Sequence, residues 1–143
     1  MIINDRGRAI VKEFESLRLS AYRCPAGVWT IGFGHTGDVV EGQRITRHQA
    51  EVLLEYDLGA AEDAVARLAP TANGAQASAM ISLTFNIGIK AFTSSTLLKE
   101  FNGGRLKNAA DQFGKWIHVA GKVLPGLVRR RAAERALFLE MPA

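Results

Sequence analysis

The sequence has a single cysteine among its 143 residues, which excludes an intramolecular disulfide and a Cys-cluster metal site. It has no apolar run approaching the ~18 residues that a membrane span needs, and its opening MIINDRGRAIVKEFES is too densely charged for a secretory signal. With 48% apolar and 22% charged residues, it also lacks the low-apolar, high-charge composition of a disordered chain. Internal repeats and low-complexity linkers are missing too. What remains is one ordinary domain, expected to be made soluble in a cytoplasm. A chain of this length buries roughly 68–70% of its extended surface and needs no metal or disulfide staple.

The formal charge of +4 is uneven. Residues 101–143 carry the basic excess, whereas acids outnumber bases over 51–100. Such an excess attracts nucleic acid, anionic lipid or an acidic polymer without choosing among them. It equally fits a solvated helix face.

Helical spacing of Ile10, Val11, Phe14 and Leu17 predicts a first amphipathic helix from Asn4 or Asp5 to about Ser16, with Gly7 weakening its start. The following LRLSAY and VWTIGFGHTG mix β-branched and aromatic residues with glycines, which predicts short antiparallel strands joined by turns. Thr46 with Gln49 three residues later reads as a capping box, and Ile45 is placed for a hydrophobic staple. The helix it opens should run to Pro70 with Val52, Leu53, Tyr56, Ala60, Ala64, Val65 and Leu68 on its apolar stripe. At about 33 Å, it is long enough to serve as a strut between two lobes. Further helices are expected near 74–85, 95–101, 105–117 and 126–138, giving an α+β protein whose helices supply the larger core.

Several residues are candidates for chemistry. Gly32-Phe33-Gly34-His35-Thr36-Gly37 matches G-x-G-x-x-G, but no helix opens at these glycines and no βαβ unit surrounds them, so dinucleotide binding is set aside. A tight hairpin approaching something closely is the better reading. Glu15, at the end of the first helix, is either a solvated carboxylate paired with Arg18 at i+3 or an acid at the mouth of a cleft. Cys24 precedes Pro25 in a turn. It is either a small buried hydrophobe or a thiolate that needs help to form at neutral pH, which His35 could supply. Thr30 is a good β-former whose hydroxyl is also able to hold one water in a fixed orientation.

The run Phe14-Glu15-Ser16-Leu17-Arg18 to Cys24, followed by Val28-Trp29-Thr30-Ile31 and the glycine turn, resembles the bacteriophage-type lysozymes, the endolysin muramidases of tailed phages. That family's pattern is a glutamate, eight residues, an aspartate or cysteine, five residues and a threonine, matched here by Glu15, Cys24 and Thr30. LTFNIG, Phe92 to Leu98 and GLVRRRAAERALF extend the likeness over nearly the whole chain. The resemblance implies a lysozyme-like α+β fold: a small N-terminal antiparallel-sheet lobe and a larger helical lobe joined by a long helix, the whole of 1–143 forming one catalytic domain. It further implies hydrolysis of the β-1,4 bond between N-acetylmuramic acid and N-acetylglucosamine in peptidoglycan, leading to lysis of the host.

By the same resemblance Glu15 is the general acid and Thr30 positions water. Cys24 either assists that water, with inversion, or attacks the sugar, with retention. Direct water attack is the favoured route. His35 buttresses the small lobe, Asn86 hydrogen-bonds sugar, and Arg130 or Arg131 meets Glu15. The implied partner is bacterial peptidoglycan, whose stem-peptide carboxylates suit a basic protein. No cofactor, no metal and no stable nucleic-acid or membrane partner are expected. The protein is expected to be a monomer held in the host cytoplasm until a holin pore admits it to peptidoglycan in the periplasm. Two other readings stand beside this one: a basic cell-wall or nucleic-acid binding module without activity, and a Cys24–His35 amidase or peptidase.

Overall fold

The Asn4 side chain accepts a hydrogen bond from the Gly7 amide and opens α1 (Asp5–Glu15), the first element of a computed structural model that describes residues 2–141. Gly7, Ile10 and Val11 form the buried face of α1. Gly7 is there for closeness rather than as a weak start: a Cβ on it would lie 2.8 Å from Ile3 Cγ1 and 2.9 Å from Ser78 Cβ. The helix stops where Ser16 takes the left-handed conformation, φ 61°. The chain then turns into β1 (Arg18–Arg23), which pairs antiparallel with β2 (Trp29–Gly32) through Tyr22↔Thr30 and Arg23↔Trp29. A single bridge, Ser20↔Arg44, adds the segment before Ile45 to the outer edge of β1.

Both halves of the capping box form at Thr46 and Gln49, and α2 runs from Arg47 to Leu68 as expected. Its buried stripe differs from the one predicted. Ala50, Leu54, Leu58, Ala61, Ala64 and Val65 are inside, whereas Val52 and Tyr56 are exposed. At ~100° per residue, Val52 and Tyr56 point away from the Ala50–Leu54–Leu58 line. Apolar character alone did not separate two faces that both carry apolar residues.

The larger lobe is built around α3 (Gly74–Ile87), in which every residue from Ala77 to Thr84 is buried. It packs against α1, α2 and the last helix. α4 (Ile89–Thr93), α5 (Thr96–Asn102) and α6 (Leu106–Gln112) follow. Of these α4 was not anticipated, being a single short turn behind Gly88. The helix expected over 105–117 ends early: Phe113–Lys115 tighten into a 3₁₀ turn around Gly114, and Leu106 is exposed rather than part of a stripe. A two-residue hairpin, β3 (His118–Val119) with β4 (Lys122–Val123), then leads to α7 (Pro125–Phe138), with proline in the first turn. Phe101, Phe113 and Phe138 meet edge to face, with Phe138 5.9 Å and 5.5 Å from the other two ring centres, and close this side of the core. The architecture is α+β, with a small antiparallel sheet lobe and a larger helical lobe, and α2 packs against both β2 and α3. No helix among the described residues is long and apolar enough to cross a membrane.

Two glycines make opposite predictions. Gly7→Ala gains roughly 0.5–1 kcal/mol of helix propensity but forces its methyl into Ile3 and Ser78, and overpacking of this kind costs about 1–3 kcal/mol; thermal unfolding should show a net loss. Gly59, in α2, has open space where a Cβ would stand, so Gly59→Ala should raise the unfolding midpoint, by about 0.4–1 kcal/mol in free energy. A gain at Gly7 or a loss at Gly59 would contradict these readings.

Candidate active site

Glu15 is the last residue of α1, and the turn at Ser16 carries the chain away before Arg18 can reach back to it. The expected i+3 pair does not form: Arg18 begins β1 and lies 4.3 Å from the ring centre of Tyr22. Glu15 is paired instead with a residue 115 positions away, accepting from Arg130 Nη1 at 2.5 Å. Its other oxygen touches the glycine turn. Gly34 has φ 78°, and a Cβ there would fall within van der Waals overlap of Glu15 Oε1. This is the close approach that the glycine motif signalled, with reciprocal Ile31–His35 backbone bonds of 2.9 Å closing the turn.

Glu15, Gly34, Thr36, Asp57, Thr84, Phe85 and Asn86 are among the residues that line an open cleft of about 430 Å³. Asp57 went unnoticed in the sequence, although a signal was present: it is half-buried beside the Leu54–Leu58–Ala61 stripe of α2, where a carboxylate benefits from a partner. Its partner is His35, whose Nδ1 donates to it at 2.7 Å, since a carboxylate only accepts. That bond ties the sheet lobe to α2. It leaves His35 hydrogen-bonded to Asp57 and not to Cys24 among the described residues, which removes the thiol–imidazole pair that an amidase would use.

Cys24 and Thr30 sit together at the closed end of the β1–β2 hairpin. The Val28 carbonyl accepts from both the Cys24 amide, at 2.9 Å, and the Thr30 hydroxyl, at 2.9 Å. Thr30 is buried and Cys24 half-buried, so Cys24 is not the enclosed small hydrophobe of the simpler reading. Hydrogen bonding from the Val28 backbone, helped by the Ala26 backbone, lowers the thiol's pKa against the opposing effect of burial. Tyr22 lies between the hairpin end and Glu15. Burial first, then the Glu15 charge, raises its phenol, and Cys24 adds in the same direction.

Behind Glu15 lies a buried set of charges. Arg130 and Arg131 are 2% and 1% exposed and Glu134 is 0% exposed. These are core positions, so two members of the basic C-terminal third are internal rather than part of a solvated face. Arg130 Nε donates to Glu134 Oε2 at 3.3 Å, and Arg130 Nη2 donates to the Ser82 carbonyl at 3.1 Å. Arg131 forms an ion pair with Glu134 Oε1 at 3.2 Å and donates through Nη2 to Asn86 Oδ1. The alternatives left open for the two arginines thus separate: Arg130 meets Glu15 and Arg131 meets Asn86. Burial pushes the Glu134 carboxyl up and the Arg131 guanidinium down to about 10, each opposed by the charge beside it. Glu134 was missed in the sequence because the residues flanking it read as an ordinary charged helix surface. No group of three or more His, Cys, Asp or Glu among the described residues is arranged to hold a metal ion.

Comparison with known proteins identifies the family. The phage lysozyme family model matches residues 12–134. The chain is 46% identical over 145 residues to the endolysin of Acyrthosiphon pisum secondary endosymbiont phage 1, covering 96% of this chain and 98% of that one. It is 43% identical to the endolysin of Bacillus phage PZA, of which it spans 55%. Among solved structures, the muramidase domain of SpmX from Asticaccaulis excentricus superposes with a TM-score of 0.90 at 41% identity, covering 98% of this chain and 99% of that one. The chain belongs to the phage lysozyme family.

Proposed function

We propose that Glu15 is the general acid of this enzyme, an endolysin muramidase that hydrolyses the β-1,4 bond between N-acetylmuramic acid and N-acetylglucosamine in bacterial peptidoglycan. The observation that carries the assignment is the placement of Glu15: a half-buried carboxyl at the cleft wall, pressed by the Gly34 turn on one side and held by Arg130 on the other. Breaking a glycosidic bond requires a proton for the leaving oxygen as positive charge grows on the sugar ring. A carboxyl held in one orientation at the cleft supplies it. Arg130 aims Glu15 through the charge-assisted hydrogen bond it gives.

Thr30 holds the attacking water. Its hydroxyl hydrogen is committed to the Val28 carbonyl, which leaves the oxygen lone pairs to accept from water. Cys24, whose thiol is held below its ordinary range beside Thr30, polarises that water, and the product inverts. His35 braces the sheet lobe through Asp57, and Asn86 hydrogen-bonds the sugar chain in the cleft. Residues 1–143 act as one two-lobed catalytic domain. The protein works as a monomer, waits in the host cytoplasm and reaches periplasmic peptidoglycan through a holin pore.

Glu15→Gln keeps the shape and deletes the proton. Turnover of purified peptidoglycan should fall by about 10²–10⁴-fold with the circular dichroism spectrum unchanged; a folded variant with near-wild-type turnover removes Glu15 from the role. Thr30→Val preserves β-branching and deletes the hydroxyl. It should lower turnover far more than the unfolding midpoint, and equal activity would take Thr30 out of the site. Cys24→Asp should keep substantial activity because aspartate is ionised near neutral pH, whereas Cys24→Ser should be weaker. The anomer of the first product, read before mutarotation, separates the routes: an α product supports water attack, and a β product assigns Cys24 as nucleophile.

A further inference from the structure

Glu134 touches no part of the cleft, yet its carboxylate is where the two cleft-directed arginines converge. One oxygen accepts from Ser82 Oγ at 2.5 Å and from Arg130 Nε at 3.3 Å. The other lies 3.2 Å from Arg131 Nη1. From this shared anchor the guanidiniums diverge, Arg130 toward Glu15 and Arg131 toward Asn86. α7 thereby reaches two residues that line the cleft, both through one buried carboxylate.

Each arm has a chemical consequence. A guanidinium has donors only, so the Asn86 atom facing Arg131 must be the carbonyl oxygen. The amide nitrogen is then free of Arg131, and on a residue that lines the cleft it is the atom left to donate to a bound ligand. The group it recognises is an acceptor, such as an acetamido carbonyl or a sugar hydroxyl oxygen. On the other arm, Glu134 balances the positive field that Glu15 feels. Ionisable groups near Glu15 include Arg130 and Arg131 from α7, Tyr22 from β1, and the Asp57–His35 pair that joins α2 to the glycine turn, whereas α3 contributes none. With Glu134 ionised, the two guanidiniums are matched by two carboxylates. Without it, two positive charges face Glu15 alone and the field at the cleft carboxyl changes.

We infer that Glu134 is a positioning residue for the reaction, a buried carboxylate that aims Arg130 at Glu15 and Arg131 at Asn86 and so sets both the working pH of the acid and the donor character of the cleft at Asn86. The inference rests on the reading of Glu15 as the acid, which Glu15→Gln tests separately.

Steady-state kinetics on soluble peptidoglycan oligosaccharides across pH decide it, using full-length wild type, Glu134→Gln and Glu134→Asp, each checked for native circular dichroism. Glu134→Gln should move the basic limb of the kcat profile several tenths of a unit to lower pH. It should also raise KM about three- to tenfold, the weight of one loosened hydrogen bond to substrate. Glu134→Asp keeps the charge but retracts the anchor, so the limb should return to its wild-type position while KM stays raised. A folded Glu134→Gln with wild-type limb and KM overturns the inference, as does a uniform loss of kcat at every pH with KM unchanged, which is what a purely structural role gives. If Glu134→Gln does not fold, Glu134→Asp decides alone: a raised KM with the limb in place supports the inference, and a wild-type KM overturns it. Loss of turnover in Glu15→Gln beside an unshifted Glu134→Gln profile would reject this role while leaving the acid assignment standing.

Discussion

Three charged side chains occupy the face of α7 where a helix of this size would ordinarily place leucines. Arg130, Arg131 and Glu134, spaced with Leu137 and Phe138 along one stripe, are all buried against α3. An isolated charge in such a place costs several kcal/mol, so this stripe is tolerable only if α7 seats in the one register that brings its carboxylate between its own two guanidiniums and Ser82. That constraint has little to do with net stability, since buried ion pairs often do no better than apolar residues of the same volume. Its consequence is placement. Once α7 is seated, Arg130 projects at the end of α1 and Glu15 acquires its partner.

The sheet lobe is held from the other direction. Gly34 has no side chain because the Glu15 carboxyl occupies that space, and the next residue, His35, reaches Asp57 on α2. Consecutive residues of one turn thus contact α1 and α2 at once. The cleft between the lobes is bounded by groups whose positions are each set by a contact from a distant part of the chain. This suits the role proposed for Glu15, an acid that keeps one orientation toward its substrate.

Arg130 creates a tension in that site. In the role proposed for Glu15, a guanidinium beside the carboxyl works against the proton that the reaction needs, while the hydrogen bond it gives provides orientation. In the role inferred for Glu134, a second carboxylate behind the same guanidinium relieves the tension without removing the orientation. The four charges Glu15, Arg130, Arg131 and Glu134 therefore form one electrostatic unit, and no pair among them describes the site alone.

Local signals in the sequence determined a good deal. Thr46 with Gln49 opened α2 because a capping box is satisfied within four residues and needs nothing from the rest of the chain. The glycines of 32–37 announced a turn with close approach, and the order Glu15, Cys24, Thr30 announced the family, because both are properties of spacing along the chain. Tertiary structure decided whatever depended on a distant partner. The exposure of Val52 and Tyr56 followed from which face of α2 meets α3 and β2. The choice of Arg130 over Arg131 for Glu15, the bond from His35 to Asp57 and the burial of Glu134 followed from contacts between residues 22 to 115 positions apart. A charged residue reads as surface until its counter-charge is found, and here the counter-charges meet only when α1, α2 and α7 close around α3.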